Sequence, residues 1–240
     1  MTRKVSSLIP RFLPNGLFLF GAAVLRWFEG LRRGKTSKTS VSAGAGAAAA
    51  GIASAARVQD APASGYIENQ LFLGGIPYGR YTVARSGCGA IALYNALRQL
   101  GAPQPLFELL REMETDGLLR GGRLGTAPQA LRDALRRRGF SCEMSRRPRD
   151  LEAFSRRYPC LLLTCYNDQD DLDADIHTFH IEKSAAGFTA HNALGDGAPL
   201  GPFASVSELF AAYGQRPRLI CFLGASRRGE GQPHNEEVPV

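Results

Sequence analysis

Apolar residues recur at helical spacing through the first half of the compact region and at strand spacing through the second. From residue 88 to 100 the apolar positions follow the 3.6-residue repeat, and Gly101 is a typical helix stop. The same pattern predicts further helices within the compact region. They lie at 106–114, 129–138 (after a Thr-Ala-Pro start and before Gly139), 151–157 and 207–213.

The second half contains short runs typical of strands. Residues 160–166 form an apolar run, and 177–183 and 188–191 alternate around a turn at 185–187, which predicts a hairpin. A last strand is predicted at 219–223. Helices first and antiparallel strands afterwards indicate an α+β fold.

The first 64 residues do not show the pattern of a folded domain. Residues 1–34 are basic and apolar, and their apolar run is too short for a clear membrane span of roughly 20 residues. We interpret this segment as a leader or a membrane-surface segment, with association through residues 11–33, and rank secretion second. Residues 35–64 are a low-complexity linker, 65–224 the folded domain, and 225–240 a disordered tail.

The charge of the 240-residue chain is +7, from 29 Lys and Arg against 22 Asp and Glu. Its basic runs have no interleaved aromatic residues for stacking bases, so we expect no nucleic-acid partner. The acidic run from Asp170 to Asp175 lacks calcium-loop spacing, and no Cys/His set has zinc spacing, so we expect neither metal nor cofactor. Five cysteines without a Cys-x-x-Cys pair favour a reducing, cytoplasmic setting, with membrane association as an open alternative.

Cys88 is the cysteine with an unusual local context. Gly87 and Gly89 bracket it, and the predicted helix begins at or just after the thiol. Unpaired N–H groups and the dipole at a helix start favour a negative charge, so a thiolate is stabilised there. The glycines leave space for a substrate carbonyl, and the Cys88 N–H can contribute to an oxyanion hole.

A thiolate hydrolase also needs a base and a group that orients the base. His177 shares one strand face with Phe179 and Ile181, which predicts that its face points inward, toward Cys88. The hairpin turn then returns Asn192 to the vicinity of His177, and an Asn carbonyl can fix the imidazole tautomer. A shift of one residue in strand register would put His180 in place of His177, and Asp196 is the alternative to Asn192.

These motifs resemble a known family. The stretch 87–101, the segment 125–140 and the hairpin 177–192 are similar to the nucleophile helix, the following helix and the His strand of the bacteriocin-processing (double-glycine leader) cysteine peptidases. That family belongs to the papain-like superfamily, and this chain resembles its stand-alone type over about residues 70–223. The resemblance implies a papain-like fold, in which the helix of the nucleophile packs on a C-terminal antiparallel sheet, and a Cys88-His177-Asn192 triad.

One departure concerns the oxyanion. The family usually carries a Gln several residues before the Cys, and residues 81–85 contain none. Thr82 and Tyr81 are the candidates for that role. Loss of one such donor typically costs about 10²–10³-fold in rate.

The sequence therefore predicts an enzyme, a cysteine peptidase or amidohydrolase acting on a peptide or protein. Two alternatives remain open. One is a catalytically weak papain-fold module that binds peptides, and the other is an acyltransferase or deamidase with the same triad. Gly74-Gly75 has the composition of a double-glycine cleavage site, but such dipeptides mark turns routinely, and we favour a turn.

Overall fold

The computed structural model describes residues 65–167, 176–214 and 217–229. Six α-helices lie in these ranges, and short 3₁₀ turns lie at Gln70–Leu73, Arg120–Gly122 and Pro148–Asp150. The helices are α1 (Val83–Ser86), α2 (Cys88–Gln99), α3 (Leu106–Asp116), α4 (Pro128–Arg137), α5 (Leu151–Arg157) and α6 (Val206–Tyr213).

The strands form a small hairpin and one antiparallel sheet. The strands are β1 (Pro77–Tyr78), β2 (Tyr81–Thr82), β3 (Ser141–Ser145), β4 (Cys160–Tyr166), β5 (Ile176–Ser184), β6 (Gly187–His191), β7 (Leu200–Phe203) and β8 (Arg218–Ser226). The hairpin pairs β1 with β2, and the sheet has the order β3-β8-β4-β5-β6-β7. Helices and an antiparallel sheet in one chain make this an α+β protein.

Helices cover both faces of the sheet. On one face α2, α3 and α4 bury a large apolar cluster that includes Leu162 and Leu223 of the sheet. On the other face α5 and α6 pack over Phe179, Ile181 and Phe222. Since both faces are apolar, neighbouring residues of a central strand both point into the protein.

The structure confirms the predicted helices and most of the predicted strands within one to three residues at their ends. The apolar repeat of α2 is buried from Cys88 to Leu97, and Gly101 follows the helix in the left-handed region at φ 71°. The hairpin of β5 and β6 turns at Ala185–Ala186, as predicted, and Gly187 there has a φ of 125°. Gly74 and Gly75 form a turn.

Some elements differ from the prediction. The strands β3 and β7 were not predicted, and β8 continues to Ser226 rather than ending at Leu223. The predicted leader (1–34), the linker (35–64), the acidic run before His177 and most of the tail (225–240) lie outside the described residues.

Candidate active site

Cys88 is the first residue of α2. The preceding residue, Gly87, occupies the N-cap position and has no side chain that could cap the helix. Its N–H donates to the carbonyl oxygen of Val83, with an N···O distance of 2.8 Å, so α1 leads directly into α2. The sulfur therefore lies where the helix dipole favours a negative charge.

The glycines around Cys88 are required by close packing. A Cβ placed on Gly89 would lie 2.7 Å from Cβ of Thr126, which no real Cβ contact allows. A Cβ placed on Gly125 would lie 4.0 Å from the Cys88 Sγ. The loop at Gly125 and Thr126 thus borders the thiol, and only 5% of Cys88 is exposed.

The helix α2 packs along β5 and runs in the same direction as the strand. At its C-terminal end, Gln99 accepts a hydrogen bond from His180 Nε2 at 2.7 Å and donates from Nε2 to the carbonyl oxygen of Pro159 at 2.8 Å. Eleven residues of helix span about 16 Å, at 1.5 Å each. The thiol at the helix start therefore lies toward the opposite end of β5, where the strand begins with Ile176 and His177.

His177 has one ring nitrogen held by the main chain. Its Nε2 donates to the carbonyl oxygen of Asn192, with an N···O distance of 2.6 Å. A carbonyl can only accept, so the neutral ring carries its proton on Nε2 and leaves Nδ1 as the basic nitrogen. Burial lowers the pKa of His177, and the bond to Asn192 opposes this only in part, so the ring is neutral at pH 7.

The side chain of Asn192 makes contacts of its own, away from His177. Its Oδ1 accepts from the main-chain N–H of Gln70 at 2.9 Å, and its Nδ2 donates to Gln70 Oε1 at 3.1 Å. Asn192 has a φ of 57°, a left-handed conformation that Asn tolerates better than most residues. The sequence argument used the side-chain carbonyl of Asn192 to hold the imidazole, whereas in the structure the main-chain carbonyl makes that contact.

Tyr213 and Cys165 are neighbours of the base candidate. The Tyr213 ring stacks on His177 at 6.4 Å between centroids and 5° between planes, and Cys165 pairs directly with His177 across the strands. Burial raises the pKa of the Tyr213 hydroxyl, and charge on Cys165 and Cys88 raises it further. Burial and Cys88 likewise raise the pKa of Cys165 to about 12, against a hydrogen bond from Tyr213.

The face of His177 differs from the expectation. His177 and Phe179 lie on the side of the sheet that α5 and α6 cover, with ring centroids 6.0 Å apart. The helix α2 packs on the opposite side, which carries His180. The parity argument predicted correctly that this face is buried, but α2 packs on the other face of the sheet.

The two alternative site residues have other surroundings. His180 is completely buried at the far end of α2, and burial together with the charge of His191 lowers its pKa well below 6.5. Its Nδ1 has no hydrogen-bond partner among the described residues. Asp196 accepts a hydrogen bond from the N–H of Ala198 at 2.9 Å, within its own loop.

The oxyanion candidates lie in the hairpin before α1. Thr82 precedes α1 and makes no side-chain cap bond to it, and Tyr81 is 38% exposed and packs near Gly122. Their role stays a prediction. The sequence argument missed Gln70, whose long-range contacts with Asn192 have no local signature in the sequence.

A second polar cluster is centred on His191. Its Nδ1 lies 2.7 Å from Glu68 Oε1 and its Nε2 3.4 Å from Glu182 Oε2. The ring of Tyr66 is tilted against it with centroids 4.1 Å apart, and the ring of His180 stacks on it with centroids 5.3 Å apart. Burial lowers the pKa of His191, but the two carboxylates outweigh it and raise the pKa overall. Both carboxylates favour the protonated form of the ring.

The remaining cysteines are buried, and their raised pKa values keep the thiols protonated at neutral pH. Burial raises the pKa of Cys142 to about 11 and that of Cys221 to about 12, and it raises the pKa of Cys160 well above 9.0. Within residues 65–167, 176–214 and 217–229, no group of three or more His, Cys, Asp or Glu side chains has the arrangement of a metal site. In the same ranges, no helix has both the length and the apolar character of a membrane span.

No protein-family model matches the sequence, and no curated protein sequence matches it either. One matching solved structure is the crystal structure of the peptidase domain of Streptococcus ComA, a bi-functional ABC transporter involved in a quorum-sensing pathway. The two chains are 9% identical, and the match covers 58% of this chain and 90% of the other at a TM-score of 0.40. This peptidase domain is a distant structural neighbour of the chain.

Proposed function

We propose that the domain is a papain-like cysteine hydrolase that cleaves a peptide or amide bond of a peptide or protein substrate. Cys88 is the nucleophile, His177 is the base, and Asn192 orients the base through its main-chain carbonyl. One observation carries the proposal. A thiol at a helix start and an imidazole with a defined basic nitrogen lie toward the same end of one sheet, and the ring of Tyr213 stacks on the imidazole.

The reaction follows from these positions. His177 Nδ1 takes the thiol proton, and the sulfur adds to the substrate carbonyl carbon. The C–N bond then breaks, the departing amine takes the proton from His177, and the acyl group remains on Cys88 as a thioester. Water, losing a proton to Nδ1, adds to the thioester and releases the acid, and the thiolate regains its proton from the imidazolium.

The test is the pH dependence of Cys88 alkylation by iodoacetamide, read by mass spectrometry of the Cys88 peptide. We expect rapid alkylation at pH 6–7, with an apparent thiol pKa below the ordinary value of about 8.5. His177→Ala removes the base that takes the thiol proton, so its profile returns toward 8.5. Cys142 is the internal control, because burial keeps that thiol protonated over this range. A parent profile centred near 8.5 would refute the thiolate assignment.

The burial of Cys88 favours a second candidate, a papain-fold module that binds peptides without cleaving them. A thiol that is 5% exposed needs the neighbouring loop at Gly125 and Thr126 to move before a carbonyl can reach it. This candidate predicts slow alkylation at every pH below 8. The hydrolase predicts fast alkylation at pH 6–7, so one experiment separates them.

Acyl transfer and deamidation share the thioester step. The acceptor of the acyl group distinguishes them from peptide cleavage: an amine gives transfer, and release of ammonia from a side-chain amide is deamidation. Product masses from a peptide mixture therefore discriminate the three reactions. Attachment to a membrane surface through residues 11–33 remains a separate prediction.

A further inference from the structure

Gln70 joins two parts of the candidate site that are far apart in sequence. Its main chain and its side chain form a pair of hydrogen bonds with the side-chain amide of Asn192, 122 residues away. The remaining amide group, Nε2, donates to the carbonyl oxygen of Ala84 at 2.9 Å. The single side-chain amide of Gln70 thus binds both the turn after β6 and the helix α1.

The contacts of Gln70 fix the residue that holds the base. Asn192 also donates its main-chain N–H to Glu68 Oε2 at 3.2 Å. Its main-chain carbonyl accepts from His177, so all four polar atoms of Asn192 have hydrogen-bond partners. These bonds fix the left-handed backbone conformation of Asn192. The direction of the carbonyl that receives the His177 proton therefore depends on the segment from Glu68 to Gln70.

The hydrogen bond to Ala84 connects Gln70 to the helix that precedes the proposed nucleophile. Ala84 lies in the middle of α1, and α1 passes into α2 through Gly87, immediately before Cys88. A shift of α1 would move the start of α2. Gln70 is therefore bonded to the elements that place both proposed reacting groups.

We propose that Gln70 is a positioning residue, which sets the His177 imidazole relative to the Cys88 sulfur through Asn192 and Ala84. This inference rests on the proposed function. Gln70 touches neither reacting group, and its effect is geometric. Displacements of about 1 Å in an active site can cost about 10²-fold in rate.

The first test is the alkylation profile of Gln70→Ala. We expect its apparent Cys88 pKa to move upward and its alkylation rate at pH 6 to fall about tenfold, since the thiol loses its aligned base. The matched control is Gln99→Ala, which removes the same type of side chain from a bond with another histidine of β5. This control keeps the parent profile even though the protein is less stable.

The second test separates positioning from general loosening. Asn192→Gly keeps the main-chain carbonyl and the positive φ but removes the partner of Gln70. We expect it to lower the rate at pH 6 about as much as Gln70→Ala, and the double variant to lose about tenfold rather than about 100-fold, because both changes break one connection. Independent, multiplying losses would overturn the proposal.

A variant that does not fold is recognised by its thermal transition. In that event Gln70→Glu serves, because it keeps the acceptor for Asn192 and loses the donor to Ala84; an unchanged profile there overturns the proposal. The two hypotheses fail separately. An ordinary thiol pKa in the parent refutes the hydrolase, whereas a depressed pKa that Gln70→Ala leaves unchanged refutes only the role of Gln70.

Discussion

The glycines beside the thiol have a packing role. Gly87 and Gly89 both lie in right-handed helical geometry, so backbone conformation does not demand a glycine at either position. The lack of space demands glycine at both positions, because a Cβ on Gly87 would lie 2.5 Å from Val83 Cγ1 and a Cβ on Gly89 would collide with Thr126. The position of Cys88 thus depends on the close approach of α1 and of the loop at Gly125 and Thr126.

We expect Gly89→Ala to destabilise the protein. Overpacking costs about 1–3 kcal/mol, which exceeds the gain of about 1 kcal/mol that Ala brings to a helix interior. Urea denaturation measures the free energy of unfolding. Gly214→Ala is the control, since a Cβ there has its nearest neighbours at 3.8 Å, and we expect a change within about 0.5 kcal/mol. A Gly89→Ala protein as stable as its parent would contradict the packing described around Cys88.

At the scale of elements, the pair Gln99–His180 registers α2 along β5. The fully buried His180 donates its Nε2 proton to the half-buried Gln99, so the two elements are held at one relative position. This contact gives His180 a structural role at the end of α2 remote from the thiol.

The register contact predicts a specific pattern of stability. Gln99→Leu leaves the buried His180 without an acceptor and costs about 1–3 kcal/mol. Adding His180→Leu removes the His180 N–H that has lost its acceptor, so the double variant is more stable than Gln99→Leu alone. Thermal unfolding tests the order. Equal stability of the single and double variants would show that the two side chains are not partners.

Local patterns predicted the elements that carry strong local signals. The apolar repeat of α2 and the alternation of β5 are visible in the sequence because burial imposes them. The strand β3 buries only Cys142 among its five residues, and β7 contains Gly201 and Pro202, so neither has a strand-like composition. Pairing with β8 and β6 creates these strands, and no local pattern shows a partner.

Local sequence patterns likewise predict only part of the candidate site. Motifs in the sequence select Cys88, His177 and Asn192 as candidates, but they do not show which face of β5 meets α2. Because α-helices cover both faces of the sheet, His177 and His180 are equally plausible as inward residues. Gln70 was missed since its contacts with Asn192 depend on the complete fold.

At the scale of the whole molecule, the buried histidines determine how stability depends on pH. His177 and His180 have lowered pKa values, so below their ordinary value of 6.5 the unfolded chain binds more protons and stability falls. His191 has a raised pKa, so its contribution is complete below 6.5 and is lost as pH rises through the higher folded value. Hydrogen bonds lower the pKa of Glu182 and Glu112, which adds a loss below 4.5.

We therefore expect maximum stability near pH 6.5, with a decline on both sides of at most about 1.4 kcal/mol per pH unit for each group. Urea denaturation from pH 4 to 8.5 measures the curve. His180→Leu removes one histidine that resists protonation, so its acid limb is shallower than that of the parent. A steeper acid limb in this variant, or a parent whose stability still rises at pH 8.5, would contradict the assignment.

The bond between Gln70 and Asn192 has a consequence for biosynthesis. The ribosome makes Gln70 before any residue of α2, and Asn192 follows only after the long sheet strands β4 and β5. A nascent chain can therefore form the helix α2 before the strands that lead to Asn192 have been made. On the proposed function, His177 can activate the Cys88 thiol only after the hairpin of β5 and β6 has been synthesised and Asn192 has bonded to Gln70.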